Sequence, residues 1–347
     1  MSIADSYRFI LLANRTTIHV YSTHTSLLTR SIKLKINTAV RPNAHIVTYC
    51  LSPTNSNLIW VACSDGTIYG IDWTTGAGAD QSWSISSTGC IHMTVASMES
   101  GKRRRDVVFT TEMRKDGGWR ITANELAQPK DPFETAARTI YTSNQRISFL
   151  KTANEGSVIV AASEKRVLIA NLRSTEYNTI DKIRYEFRIF ESPDLVSSLD
   201  LKVHARPNAE SLGKSALRRL PVVDVVVGDA RGSIFVHDDL LGNLARSQEE
   251  KHPPGISLIP RKLHWHRKEV CTVKWSLDGM CSHHLSDAVL TRQAIISFLV
   301  VPKLCLYFGS LTLARSNFYL TCLPPFKMSL YHLPGHHMAY SLATTPR

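Results

Sequence analysis

His45-Ile46-Val47-Thr48-Tyr49-Cys50-Leu51-Ser52-Pro53 and then Leu58-Ile59-Trp60-Val61-Ala62-Cys63-Ser64-Asp65-Gly66-Thr67-Ile68-Tyr69-Gly70-Ile71-Asp72-Trp73 decide how the rest of this chain is read. Three short runs rich in β-branched and aromatic residues are separated by Ser52-Pro53 and Asp65-Gly66. Such runs are the sequence form of strands. Proline presets φ for a turn, and Asp-Gly tolerates the positive φ of a tight hairpin. Three antiparallel strands at this spacing make up most of one blade of a β-propeller, whose repeat runs to about 40–45 residues.

The unit recurs in both directions. Tyr7–Ala13, a polar turn Asn14-Arg15-Thr16, and Thr17–Tyr21 form an N-terminal hairpin, the half-blade with which many propellers begin. Downstream, Val107–Thr111 and Trp119–Ala123 flank the turn Lys115-Asp116-Gly117-Gly118. Arg146–Leu150, Ser157–Ala162 and Val167–Asn171 form a further unit, with its turn at Ser163-Glu164-Lys165. Val196–Leu201, Val222–Val227 and Ser233–His237 form another, turning at Gly228-Asp229-Ala230-Arg231-Gly232. An insertion, Val203–Leu220, splits its first two strands, and a long loop is expected over Leu241–Lys262.

A new start follows at Leu263-His264-Trp265-His266, then Val270-Cys271-Thr272-Val273-Lys274-Trp275-Ser276-Leu277-Asp278-Gly279. A loop His, an alternating strand and Ser-x-Asp-Gly make the opening half of a WD-type blade. In such blades His, Ser and Asp side chains hydrogen-bond around a strand Trp. Ser64, Asp65, Gly66, His264, His266, Trp275 and Asp278 are therefore read as structural blade residues. The expected fold is all-β: an incomplete WD-type β-propeller of about five blade units over residues 1–279. A seven-blade ring needs about 300 residues, and the two insertions use part of what is available.

After Gly279 the pattern stops. Residues 280–347 hold one acidic residue, Asp287, against five basic ones, and sustain neither a 2- nor a 3.6-residue period. Pro302 and Lys303 interrupt the apolar stretch Ala294–Leu313, leaving runs too short to span a bilayer. His283, His284, His332, His336 and His337 show no recurring ligand spacing. The reading is a non-propeller tail, disordered or translated from aberrant gene-model sequence.

Composition narrows the class. The 347 residues are 43% hydrophobic, ordinary for a folded globular chain. A formal charge of +12 favours an acidic partner such as nucleic acid. Seven cysteines without a Cys-x-x-Cys pair give neither a zinc nor a disulfide framework, so they read as reduced intracellular thiols.

With its blades in place, the chain over residues 1–279 resembles the WD-repeat subunits of the UtpA subcomplex of the small-subunit processome. This is the family of WD repeat-containing protein 75 and its fungal U3 small nucleolar RNA-associated counterpart. The resemblance rests on Leu263-His264-Trp265-His266 with Val270–Gly279, supported by Ser64-Asp65-Gly66 and Gly228–Gly232 in order. It implies a non-catalytic scaffold in the nucleus and nucleolus, acting in early pre-rRNA transcription and processing. Implied partners are other UtpA-type WD-repeat proteins and pre-rRNA or the U3 small nucleolar ribonucleoprotein particle. No membrane, small-molecule substrate, cofactor or metal is implied. The rival reading is a general WD-repeat protein-interaction adaptor unrelated to ribosome assembly.

Two basic clusters interrupt the blades: Lys102, Arg103, Arg104 and Arg105, and Lys214 with Arg218 and Arg219. Both are expected in loops, where guanidinium groups can meet RNA phosphates or serve only as solvated surface. Gly213-Lys214-Ser215 lacks the earlier Gly of a phosphate-binding loop, since position 208 is Asn. His264, His266, Asp278 and Cys271 could be cast as a catalytic set, but turn hydrogen bonding accounts for the same residue types.

Overall fold

The computed structural model describes residues 2–4, 8–36, 42–79, 81–86, 88–100, 103–126, 136–153, 155–172, 180–204, 220–249, 260–264, 269–270, 273, 275, 300–301, 304–305, 311–313 and 320–322. Five four-stranded antiparallel sheets follow one another along the chain, each with its strands in sequence order. The first holds β1 (Ser2–Ala4), β2 (Phe9–Ala13), β3 (Thr17–Ser22) and β4 (Leu28–Lys33). The second holds β5 (Ile46–Leu51), β6 (Leu58–Cys63), β7 (Thr67–Asp72) and β8 (Ser82–Ser84). The third is β9 (Cys90–Ser100), β10 (Arg103–Met113), β11 (Trp119–Glu125) and β12 (Ala136–Ser143). The fourth is β13 (Phe149–Ala153), β14 (Val158–Ser163), β15 (Arg166–Leu172) and β16 (Tyr185–Glu191). The fifth is β17 (Val196–His204), β18 (Val222–Asp229), β19 (Ser233–His237) and β20 (Arg261–His264).

The unbroken apolar runs of the second and third strands have a physical reason. Successive side chains of a strand point to opposite faces, so a strand covered on both faces needs apolar residues at every position. In β6, Ile59, Val61 and Cys63 pack with the first sheet, while Trp60 and Ala62 pack with the third. In β14, Ile159 and Ala161 join the third sheet's core, while Val158, Val160 and Ala162 join the fifth's. In β18, Val223, Val225 and Val227 face the fourth sheet, and Val226 faces Val270 and Val273 beyond the fifth. The second, third and fourth sheets are thus each sandwiched between their sequence neighbours.

The first strands draw neighbouring sheets together. Thr94 Oγ1 of β9 and Thr152 Oγ1 of β13 lie 3.0 Å apart, and Cys50 Sγ of β5 lies 3.5 Å from the Met93 carbonyl of β9. Fourth strands carry the solvent-facing positions instead; β4 is exposed at five of its six residues. Antiparallel sheets stacked in this way are consistent with β-propeller-like blades.

One backbone bond recurs at the junctions. Ile46 N donates to Arg15 O at 2.7 Å, Val196 N to Glu164 O at 2.8 Å, and Val270 N to Asp229 O at 3.1 Å. In each case the chain entering the next unit ties itself to the turn between the second and third strands of the preceding one. Gly66 sits in such a turn at φ +85°, and a Cβ there would run into the Ser86 carbonyl oxygen.

Several expectations are corrected. The N-terminal unit is a full four-stranded sheet rather than a half-blade. The strand expected at Arg146–Leu150 begins at Phe149 and runs to Ala153. β17 continues through Val203 to His204, so the insertion starts later than read; residues 205–219 lie outside the described ones. The long loop contains helix α1 (Leu240–Glu249). Its Leu240, Leu241 and Leu244 are buried in the core between the fourth and fifth sheets. Asp239 starts that helix, its Oδ1 accepting from Gly242 N at 3.3 Å. Leu263 and His264, read as opening a new blade, belong instead to the fourth strand of the fifth sheet, Arg261–His264, which pairs with β19. Beyond Gly279 two short hairpins are described: β21 (Val300–Val301) with β22 (Leu304–Cys305), and β23 (Leu311–Leu313) with β24 (Leu320–Cys322). No helix among the described residues is long and apolar enough to cross a membrane.

Candidate functional site

The turn residues form hydrogen-bonded joints. Ser64 Oγ lies 3.2 Å from His45 Nδ1 and accepts His45 N at 3.2 Å, so the entry to the second sheet is pinned to its own turn. Asp65 Oδ1 accepts Thr67 N at 2.9 Å, the bond that closes an Asp-Gly turn. In the fifth sheet Asp229, 2% exposed, accepts Arg231 N at 2.9 Å and Ser233 N at 2.7 Å. Trp275 is half-buried outside any strand; its backbone N donates to Asp200 Oδ2 at 2.9 Å, and Lys202 Nζ lies 5.9 Å from its ring centroid. The backbone of His264 lies in β20, while His266 and Asp278 fall outside the described residues.

The first basic cluster departs from the loop expectation. Arg103 to Arg105 belong to β10, and Arg104 lies opposite Glu99 across the hairpin. The Arg104 guanidinium meets Glu155 at 2.8 Å and Glu99 at 3.8 Å. Arg105 pairs with Glu125 at 2.6 Å, both side chains 15% exposed. Arg105 therefore holds β10 to β11 and is poorly placed to meet a phosphate. The Arg103 side chain, Lys102, Lys214, Arg218 and Arg219 lie outside the described residues.

Sequence reading missed two buried carboxylates at the ends of the Val107–Thr111 run. Asp106, 8% exposed, accepts Trp60 Nε1 at 2.7 Å and Thr54 Oγ1 at 2.7 Å, bonding the third sheet to the second. Glu112, fully buried, accepts Thr110 Oγ1 at 2.8 Å and two guanidinium N–H groups of Arg120 at 3.1 and 2.8 Å. Asn124 completes the network, donating to the Val108 carbonyl and Thr110 Oγ1 at 3.1 Å each. The signal for them is an acidic residue at either end of an otherwise apolar strand.

Two histidines are held neutral. Burial, with Arg146 and Lys151 nearby, pushes His92 down to about 4. Burial alone brings His237 down to about 4, with the Phe190 ring 4.7 Å away. Cys63 and Cys90 are buried thiols pushed up to about 12, first by burial and then by nearby carboxylates. A thiol so raised is a poor nucleophile at neutral pH. Among the described residues no three His, Cys, Asp or Glu side chains stand together to hold a metal ion. The polar groups that are brought together join strands and sheets. No family model matches the chain. No curated protein shows a significant match to it.

Proposed function

We propose that residues 1–279 are a WD-type propeller segment acting as a non-catalytic scaffold in nucleolar small-subunit ribosome biogenesis. In this reading it works in early pre-rRNA transcription and processing, alongside UtpA-type WD-repeat proteins and pre-rRNA or the U3 particle. The observation carrying it is the succession of five meander sheets, jointed by Ser and Asp turns, the fifth of which ends in Leu263-His264 with the stretch Val270–Gly279 following in the sequence. Such stacks present rims of loops to several partners at once. One observation favours the general WD-repeat adaptor instead: Arg104 and Arg105 are already paired with carboxylates, which weakens the case for RNA contact there.

Affinity purification of the tagged chain from cells, with RNA and protein identification, tests the choice. Co-purified UtpA subunits and pre-rRNA support the ribosomal scaffold. A protein set without either supports the general adaptor.

A further inference from the structure

The first sheet differs from the others in charge. Before Asp65 the sequence holds one acidic residue, Asp5, against Arg8, Arg15, Arg30, Lys33, Lys35 and Arg41. Arg8, Arg15 and Lys33 are exposed, and among the described residues none forms an ion pair. In the third, fourth and fifth sheets, by contrast, Arg105, Arg120, Arg188 and Arg231 are each paired with a carboxylate.

The same sheet has an apolar face without a described neighbour. Leu11, Ile18, Val20 and Ile32 pack toward the second sheet. Alternation turns Ile10, Leu12, Tyr21 and Leu28 the other way; Ile10 is buried and Leu12 and Tyr21 half-buried, yet none of the four belongs to a core cluster of the described residues. Ile10 pairs with Tyr21 and Tyr21 with Leu28, so they form one row across three strands. Leu28 is 49% exposed, and Leu27 beside it 66%. Arg8 and Arg15 flank β2 at its two ends, and Lys33 closes β4.

An apolar row framed by unpaired cations selects its partner by chemistry. A second copy docking through the same face would bring like charges together, which costs affinity. RNA would satisfy the cations but leave Leu28 and Leu12 under phosphates and sugars. We propose that the outward face of the first sheet binds an acidic amphipathic protein segment, with aliphatic residues along one side and Asp or Glu flanking them. This rests on the scaffold reading only in taking proteins as partners.

The test uses the full chain and a synthetic helical peptide of about 16 residues with Leu on one face and Glu elsewhere. Polyglutamate and poly-U RNA serve as comparison probes, and binding is read by fluorescence anisotropy. The amphipathic peptide is expected to bind best. Arg8→Ser/Arg15→Ser/Lys33→Ser together, and Leu28→Ser alone, should each weaken it about tenfold, while Arg166→Ser does not. All these positions are exposed, and an unchanged melting temperature confirms that the variants fold. Failure of the peptide to bind, or equal binding by the variants, overturns the proposal. Polyglutamate binding as tightly as the peptide removes the apolar row's role and overturns it too. Poly-U binding that the triple variant loses, without peptide binding, assigns the surface to nucleic acid instead. Peptide binding in a chain that recovers no ribosome-assembly partners from cells keeps this inference and removes the ribosomal reading.

Discussion

The interface between the second and third sheets and that between the fourth and fifth are built from different materials. The latter is aliphatic: Val158, Val160, Ile169, Val223, Val225 and Val227 interlock, with the leucines of α1 filling its end. The former carries a buried carboxylate at each end of the Val107–Thr111 run of β10, one bonding across to Trp60 and Thr54 and the other held within its own sheet by Arg120. Aliphatic packing is tolerant of small changes, because its energy is spread over many contacts. A buried polar joint concentrates its energy in a few bonds whose loss leaves desolvated groups behind. The two interfaces should therefore fail differently.

The largest loss is expected from Asp106→Ala, which strands the Trp60 indole N–H in the core. Urea unfolding should show destabilisation of about 3 kcal/mol. Asp106→Asn, which keeps an acceptor, should cost clearly less. Glu112→Ala should cost about 2 kcal/mol, since Arg120 is partly solvated and recovers some of the difference in water. The Glu112→Ala/Arg120→Ala pair should be less destabilised than the sum of the single changes.

The aliphatic interface should show its weakness to acid. His237 beside Phe190 has its folded pKa lowered from 6.5 to about 4. Its stability contribution is complete above 6.5, and as pH falls the unfolded chain takes up a proton that the folded one refuses. Stability should therefore drop between about pH 6.5 and 4, by about 1–2 kcal/mol at pH 5 from this residue. His237→Phe should flatten that slope, which unfolding curves at stepped pH would reveal; a slope left unchanged would locate the acid sensitivity elsewhere. Smallest of all, Ile169→Val removes one methylene and should cost about 1 kcal/mol. A cost at Ile169 as large as at Asp106 would erase the contrast between the two interfaces.

What could be read in advance follows the same division. The strands of the second sheet, and those around Asp229, were legible because two-sided burial writes itself as β-branched runs ended by turn residues. The fourth strands were not: Ser82–Ser84 and Ala136–Ser143 are short or polar and solvent-facing, so their pattern resembles loop. Helix α1 was hidden because four buried residues over two turns, Leu240, Leu241, Leu244 and Ala245, make too brief a period beside a long insertion. Arg104 and Arg105 were legible as charge but not as ion pairs, because Glu155 reaches Arg104 from the turn between β13 and β14 and Glu125 reaches Arg105 from β11. The cations of the first sheet are dispersed along the chain and so form no run in the sequence, unlike Lys102–Arg105. Only pairing shows which cations are spent.

Successive sheets pack through their first strands. Thr94 and Thr152, whose hydroxyl oxygens lie 3.0 Å apart, offer the most direct test. Thr94→Cys/Thr152→Cys should form a disulfide under mild oxidation, because side-chain atoms that close fall within bonding reach. Peptide mapping should find that link in the folded chain and lose it when the protein is oxidised in denaturant. Absence of the link in the folded chain would contradict the stacked-sheet architecture on which the functional reading stands.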